Sequence, residues 1–92
     1  MNETASRPSA PVRLYTTPYC GYCTSAKQLL RRQGIAYEEH DVAQDHALRE
    51  RLSHETGWRT VPMIFVEERF VGGYSELAAL HAKGGLAHLR PA

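Results

Sequence analysis

The feature that most constrains this chain is the position of its two cysteines, which stand three residues apart in Cys20-Gly21-Tyr22-Cys23. Ahead of them, Val12-Arg13-Leu14-Tyr15-Thr16 alternates apolar and polar residues of β-favouring type, which predicts a strand. Thr17-Pro18 breaks it. Behind Cys20, Cys23, Ala26, Leu29 and Leu30 recur at helical spacing with Lys27, Gln28, Arg31 and Arg32 outside. That pattern predicts a helix to Gln33, ended by Gly34. The cysteine pair therefore marks the point where a strand hands over to a helix. A bond between residues so close closes a tiny loop and stabilises little. Secreted disulfide scaffolds carry several bridges between distant segments, so this pair is expected to be used for its reactivity.

The rest of the chain extends the alternation. Ile35 to His40 is a second strand candidate, and a polar helix from about Gln44 to Thr56 is anchored by Leu48 and Leu52 and closed by Gly57. Met63-Ile64-Phe65-Val66 is a continuous apolar run suited to a strand buried on both faces. Glu67-Glu68 forms a turn, and Arg69-Phe70-Val71 returns as the last strand. Gly72-Gly73 stops it, and Ser75 is placed to cap a helix through Leu77, Leu80 and His81. Gly84-Gly85 ends that helix, and Leu86 to Leu89 adds a final apolar turn. The order β-α-β-α-β-β-α predicts an α/β fold: a four-stranded mixed sheet with helices on both faces, a parallel crossover first and a hairpin last.

Ninety-two residues suffice for one core. Residues 1–11, with Pro8 and Pro11 and no apolar centre, are expected as a flexible tail without a secretory signal, and 12–92 as the domain. Together with the cysteine usage, this points to a cytoplasmic setting. Eleven basic against ten acidic residues give a net charge of +1, which removes the electrostatic case for nucleic acid. No apolar run approaches the roughly 20 residues that cross a membrane.

A cysteine at a helix N-terminus faces unpaired backbone N–H groups and the positive end of the helix dipole, and both favour thiolate over thiol. Thiols so placed in Cys-X-X-Cys pairs have pKa values lowered from ~8.5 to roughly 3.5–7. One turn later, Cys23 can attack a mixed disulfide formed on Cys20. Cys20 is thus the expected nucleophile and Cys23 the resolving thiol.

Three blocks occur in order: Tyr15-Thr16-Thr17-Pro18-Tyr19-Cys20-Gly21-Tyr22-Cys23, then Thr60-Val61-Pro62 before the third strand, then Gly72-Gly73-Tyr74-Ser75 before the third helix. Together they resemble the dithiol glutaredoxins, of the thioredoxin fold, from about Val12 to Leu89. The resemblance implies a glutathione-dependent oxidoreductase that reduces protein–glutathione mixed disulfides and protein disulfides. It implies a cis peptide bond at Pro62 that turns the backbone of Val61 toward Cys20. Thr60, Val61 and Pro62 would meet the cysteinyl unit of glutathione, and Gly73, Tyr74 and Ser75 its γ-glutamyl carboxylate. Tyr22 would flank the thiolate. Thr17 stands where many members carry a Lys that binds the glycyl carboxylate, and Arg59 is the candidate substitute. Ser75-Glu76 stand where members often have two acidic residues, so the first lacks its charge. Gly21 replaces the more usual Pro, and Trp58 is similar to a Trp of the monothiol members.

Other readings compete with this one. Members with Gly or Ser at the position of Gly21 can hold a [2Fe-2S] cluster between two subunits through the first cysteine, here Cys20, and bound glutathione. The chain is accordingly expected as a monomer, or a dimer if cluster-bound. A thioredoxin-like reductant served by a flavoprotein reductase is a third reading, which the glycine pair and Thr60-Val61-Pro62 disfavour. Cys20, Cys23, His40 and His46 approach zinc-finger spacing, but such a unit covers only a third of the chain. The five histidines otherwise read as surface residues.

Overall fold

The computed structural model describes residues 10–91. Its elements are β1 (Val12–Thr16), α1 (Gly21–Gln33), β2 (Tyr37–Asp41), α2 (His46–Thr56), β3 (Met63–Val66), β4 (Arg69–Gly72), α3 (Tyr74–Ala82) and a short 3-10 turn, Ala87–Leu89. The strands form one mixed sheet in the order β2-β1-β3-β4. β1 runs parallel to β2 and antiparallel to β3, and β3 and β4 form the hairpin.

Alternation along the strands sorts the core to the two faces of the sheet. On one face Val12, Leu14, Ile64 and Val66 pack with Ala26 and Leu30 of α1, Leu77 of α3, and Leu86. On the other, Tyr15 and Met63 pack with Val42 and with Leu52 of α2. The expected two-sided cover is present, with α1 and α3 on one side and α2 on the other. Of the expected tail, residues 1–9 lie outside the described residues. Pro11 is half-buried, and its carbonyl accepts the Glu67 N–H at 2.8 Å.

Three boundaries differ from the sequence expectation, each for a hydrogen-bonding reason. The second strand starts at Tyr37 because Ile35 completes the end of α1. Gly34 takes the left-handed conformation, its N–H bonds the Arg31 carbonyl, and the Ile35 N–H bonds the Leu30 carbonyl at 2.9 Å. α2 starts at His46, because Asp45 Oδ1 accepts the Leu48 N–H at 3.1 Å as its cap. α3 starts at Tyr74, so Ser75 is a helical residue and not its cap. Gly73 holds the cap position, and its own N–H donates to Glu76 Oε1 at 2.9 Å.

The end of β1, from which the cysteine loop departs, is tied to both neighbours. Glu39 on β2 accepts from Thr16 Oγ1 at 2.8 Å and from Lys27 Nζ at 2.9 Å. Partial burial pushes the Glu39 carboxyl pKa up, but these two hydrogen bonds and the charges of Lys27 and Arg31 outweigh it and hold the pKa below the usual carboxylate value. β1, β2 and α1 thereby share one ionised carboxylate. His40 lies away from the cysteines: it stacks on Tyr15 at 5.1 Å, with Nε2 3.2 Å from Glu38 Oε1.

Candidate active site

Cys20 caps α1 in an extended conformation, and its Sγ accepts the Cys23 N–H at 3.0 Å. The two cysteines are joined as a disulfide. They differ in access: Cys20 is half-buried, whereas Cys23 is 2% exposed against the α1 core. An N-cap sulfur receives one of the free amides of the first helical turn, here that of the third residue, and sits at the positive end of the helix dipole. The local sequence explains the position, since Pro18 cannot continue β1 and the helical repeat begins immediately after Cys20.

Across from α1, the segment before β3 approaches the same sulfur. Cys20 Sγ lies 3.7 Å from the Val61 carbonyl oxygen. The Val61–Pro62 peptide bond is cis, as the resemblance implies. Beside this contact opens a cleft of about 240 Å³ lined by Tyr22, Trp58, Thr60, Val61, Pro62, Gly73, Tyr74, Ser75 and Glu76. The Tyr22 ring stacks over Tyr74 at 6.3 Å between centroids. The first amides of α3, those of Tyr74 and Ser75, have no acceptor within their own helix by construction.

Every expected glutathione-site residue except Arg59 therefore gathers in one cleft, with Cys20 in contact with its Val61 wall. Arg59 is exposed and does not line it. The Gly73 N–H, expected free, is held by Glu76. Two lining residues were absent from the expected set. Trp58 sets its ring edge-on to Phe70 at 5.7 Å, and its buried Nε1 has no partner among the described residues. Its signal was an aromatic residue two positions before Thr60. Glu76 could have been found from its place three residues after a helix cap, where an acidic side chain reaches back to the cap's N–H.

A four-stranded mixed sheet with this helix arrangement, carrying a cysteine pair at the first helix N-terminus and a cis-proline loop facing it, defines a thiol–disulfide oxidoreductase of thioredoxin-like fold. Comparison with known proteins narrows the class. The sequence model of the glutaredoxin family matches residues 12–71. The chain is 40% identical over 77 residues to glutaredoxin 3 of Escherichia coli K12, covering 84% of this chain and 93% of that protein. It is 43% identical over 76 residues to the glutaredoxin of Pseudomonas aeruginosa, covering 83% and 90% respectively. Its fold matches the crystal structure of a buckwheat glutaredoxin–glutathione complex with a TM-score of 0.81 at 30% identity, over 87% of this chain and 76% of that one. This chain belongs to the glutaredoxin family, whose members are glutathione-dependent thiol–disulfide oxidoreductases. Among the described residues no helix is long and apolar enough to cross a membrane.

Proposed function

We propose that this glutaredoxin reduces protein–glutathione mixed disulfides, and some protein disulfides, with Cys20 as nucleophile and Cys23 as resolving thiol. The observation that carries this reading is the Cys20 sulfur, capped by an α1 amide at 3.0 Å and lying 3.7 Å from the Val61 carbonyl beside the cleft. In the reduced protein the same amide and the helix dipole favour the Cys20 thiolate. The thiolate attacks the glutathione sulfur of a mixed disulfide; the Cys20–glutathione bond forms and the substrate leaves as a thiolate that takes a proton from water. A second glutathione thiolate then attacks that sulfur, releasing glutathione disulfide and restoring Cys20. With a protein disulfide, Cys23 attacks the mixed disulfide instead, and the Cys20–Cys23 bond forms.

The cleft suits glutathione in its parts. The backbone of Thr60 and Val61 before Pro62 offers strand-like hydrogen bonds to the cysteinyl unit. The amides of Tyr74 and Ser75 suit the γ-glutamyl carboxylate, and Gly73 leaves the floor open. Tyr22 walls the sulfur, and Arg59, which lies outside the cleft beside Thr60, has to turn inward for its guanidinium to meet the glycyl carboxylate. The buckwheat relative was solved in complex with glutathione, which supports this assignment. A reductant drawing on glutathione fits the reducing cytoplasm. Turnover with glutathione and glutathione reductase is expected, and little with thioredoxin reductase. Equal turnover with thioredoxin reductase in the absence of glutathione would remove the glutathione reading.

A second reading, a [2Fe-2S] cluster shared by two copies, is supported by Gly21. A Cβ built there has nothing within 4 Å, so the space next to Cys20 is open. With Cys23 buried, each chain offers one accessible sulfur, and the remaining ligands would come from a second copy and two glutathione thiolates. Anaerobic reconstitution with iron, sulfide and glutathione is expected to give visible absorption and a doubled mass on this reading. A colourless monomer ends it.

A further inference from the structure

Among the described residues, two large apolar side chains stand clear of the fold: Tyr19 at 99% exposure and Tyr22 at 66%. Scattered exposed apolar residues need no explanation, but these two are not scattered. They are the residues one before and two after Cys20, the reactive sulfur. Tyr22 already has a place, since it lines the cleft and stacks on Tyr74. Tyr19 has none. It belongs to the loop between β1 and α1 and does not line the cleft, so a glutathionyl group seated there leaves it uncovered.

We propose that Tyr19 is a specificity-determining contact for the polypeptide half of a glutathionylated substrate, selecting cysteines flanked by apolar residues. The inference rests on the mixed-disulfide reading above. When Cys20 attacks the glutathione sulfur, the departing protein sulfur must lie close to Cys20, and its chain must cross the surface bordering it. Thr17, Pro18 and Tyr19 make that border on the β1 side, and none carries a charge. A tyrosine ring offers a large apolar area with only two side-chain torsions to immobilise, which is why tyrosine is enriched among the residues that dominate protein interfaces. An uncharged border with a free ring matches aliphatic flanks and offers nothing to acidic or basic ones.

The test uses three substrates and two variants. Two glutathionylated peptides of equal length and charge carry their cysteine between leucines or between serines. The third substrate is the small mixed disulfide of glutathione and mercaptoethanol, which has no polypeptide. Wild-type kcat/KM is expected to favour the leucine peptide by about tenfold over the serine peptide. Tyr19→Ala should erase that preference and leave the small substrate within about twofold, while Tyr19→Phe, which keeps the ring, should retain it. Because Tyr19 is 99% exposed and packs on nothing among the described residues, the variants keep the fold. An unchanged leucine-to-serine ratio in Tyr19→Ala overturns the proposal. So does an equal fall with all three substrates, which would place Tyr19's effect on the Cys20 thiolate itself. A wild-type protein inactive on the small mixed disulfide brings down the parent reading, and this proposal with it.

Discussion

Cys20→Ser is expected to lower turnover of a glutathionylated protein by about a thousandfold or more, to background, whereas Cys23→Ser retains it within about threefold. The asymmetry follows from geometry. Cys20 holds the α1 cap and is accessible; Cys23 is 2% exposed and faces the core. A serine hydroxyl at the cap still accepts the Cys23 N–H, so the fold survives while the nucleophile is lost. For a protein disulfide the outcome changes. Cys23→Ser then stalls as a covalent complex through Cys20, because no internal thiol remains to release it. Coupled NADPH consumption and intact mass of the trapped complex measure both. Residual activity in Cys20→Ser with glutathione present would reverse the assignment of roles.

Gly72→Ala is expected to destabilise the protein by about 3 kcal/mol and to raise the KM for glutathionylated substrate. Gly72 has φ +130, a region that side chains rarely adopt, and a Cβ there would stand 2.8 Å from Glu76 Cγ and 3.0 Å from Glu76 Cβ. Glu76 cannot swing aside without cost, because its carboxylate holds the Gly73 N–H at the start of α3. Displacing it would leave a buried amide without a partner and would move a residue that lines the cleft. For a domain of this size the loss corresponds to a Tm lower by roughly 12–24 °C. Gly57→Ala is the control: φ is +76, but nothing lies within 4 Å of the added carbon. That change is expected to cost only about 1 kcal/mol. Equal destabilisation of the two variants, measured by thermal melts, would show that the contact with Glu76 is irrelevant.

The hairpin turn shows how tertiary packing overrides local preference. Glu67 and Glu68 adopt φ of 50 and 70, positions usually left to Gly or Asn. Each costs about 1 kcal/mol in backbone terms. The conformation is held by the Glu67 N–H bond to Pro11 and by side-chain contacts from Glu67 to His88 and from Glu68 to Arg13. None of these partners is near the turn in sequence.

What could be read in advance had periodicity or local chemistry behind it. The alternation of Val12–Thr16, the apolar run Met63–Val66 and the helical spacing after Cys20 each report which faces will be buried, and burial dominates folding energy. The reactivity of Cys20 was legible for the same reason, because a helix start has free amides wherever it occurs. Other features turn on single hydrogen bonds and side-chain contacts, which hydrophobic periodicity does not report. Ile35 joined the end of a helix because the Leu30 carbonyl needed a donor, and α3 began at Tyr74, with Gly73 as its cap, because Glu76 reached back to the Gly73 N–H. Trp58 entered the cleft by packing on Phe70, while Arg59, its neighbour, remained outside. The residue order thus determined the elements and the identity of the reactive sulfur, since both arise from interactions within a few residues. The sheet order β2-β1-β3-β4 and the cleft beside Cys20 were decided only when the chain closed. Their decisive contacts, β1 against β3 and Cys20 against Val61, join segments some 40 residues or more apart and form only in the assembled core.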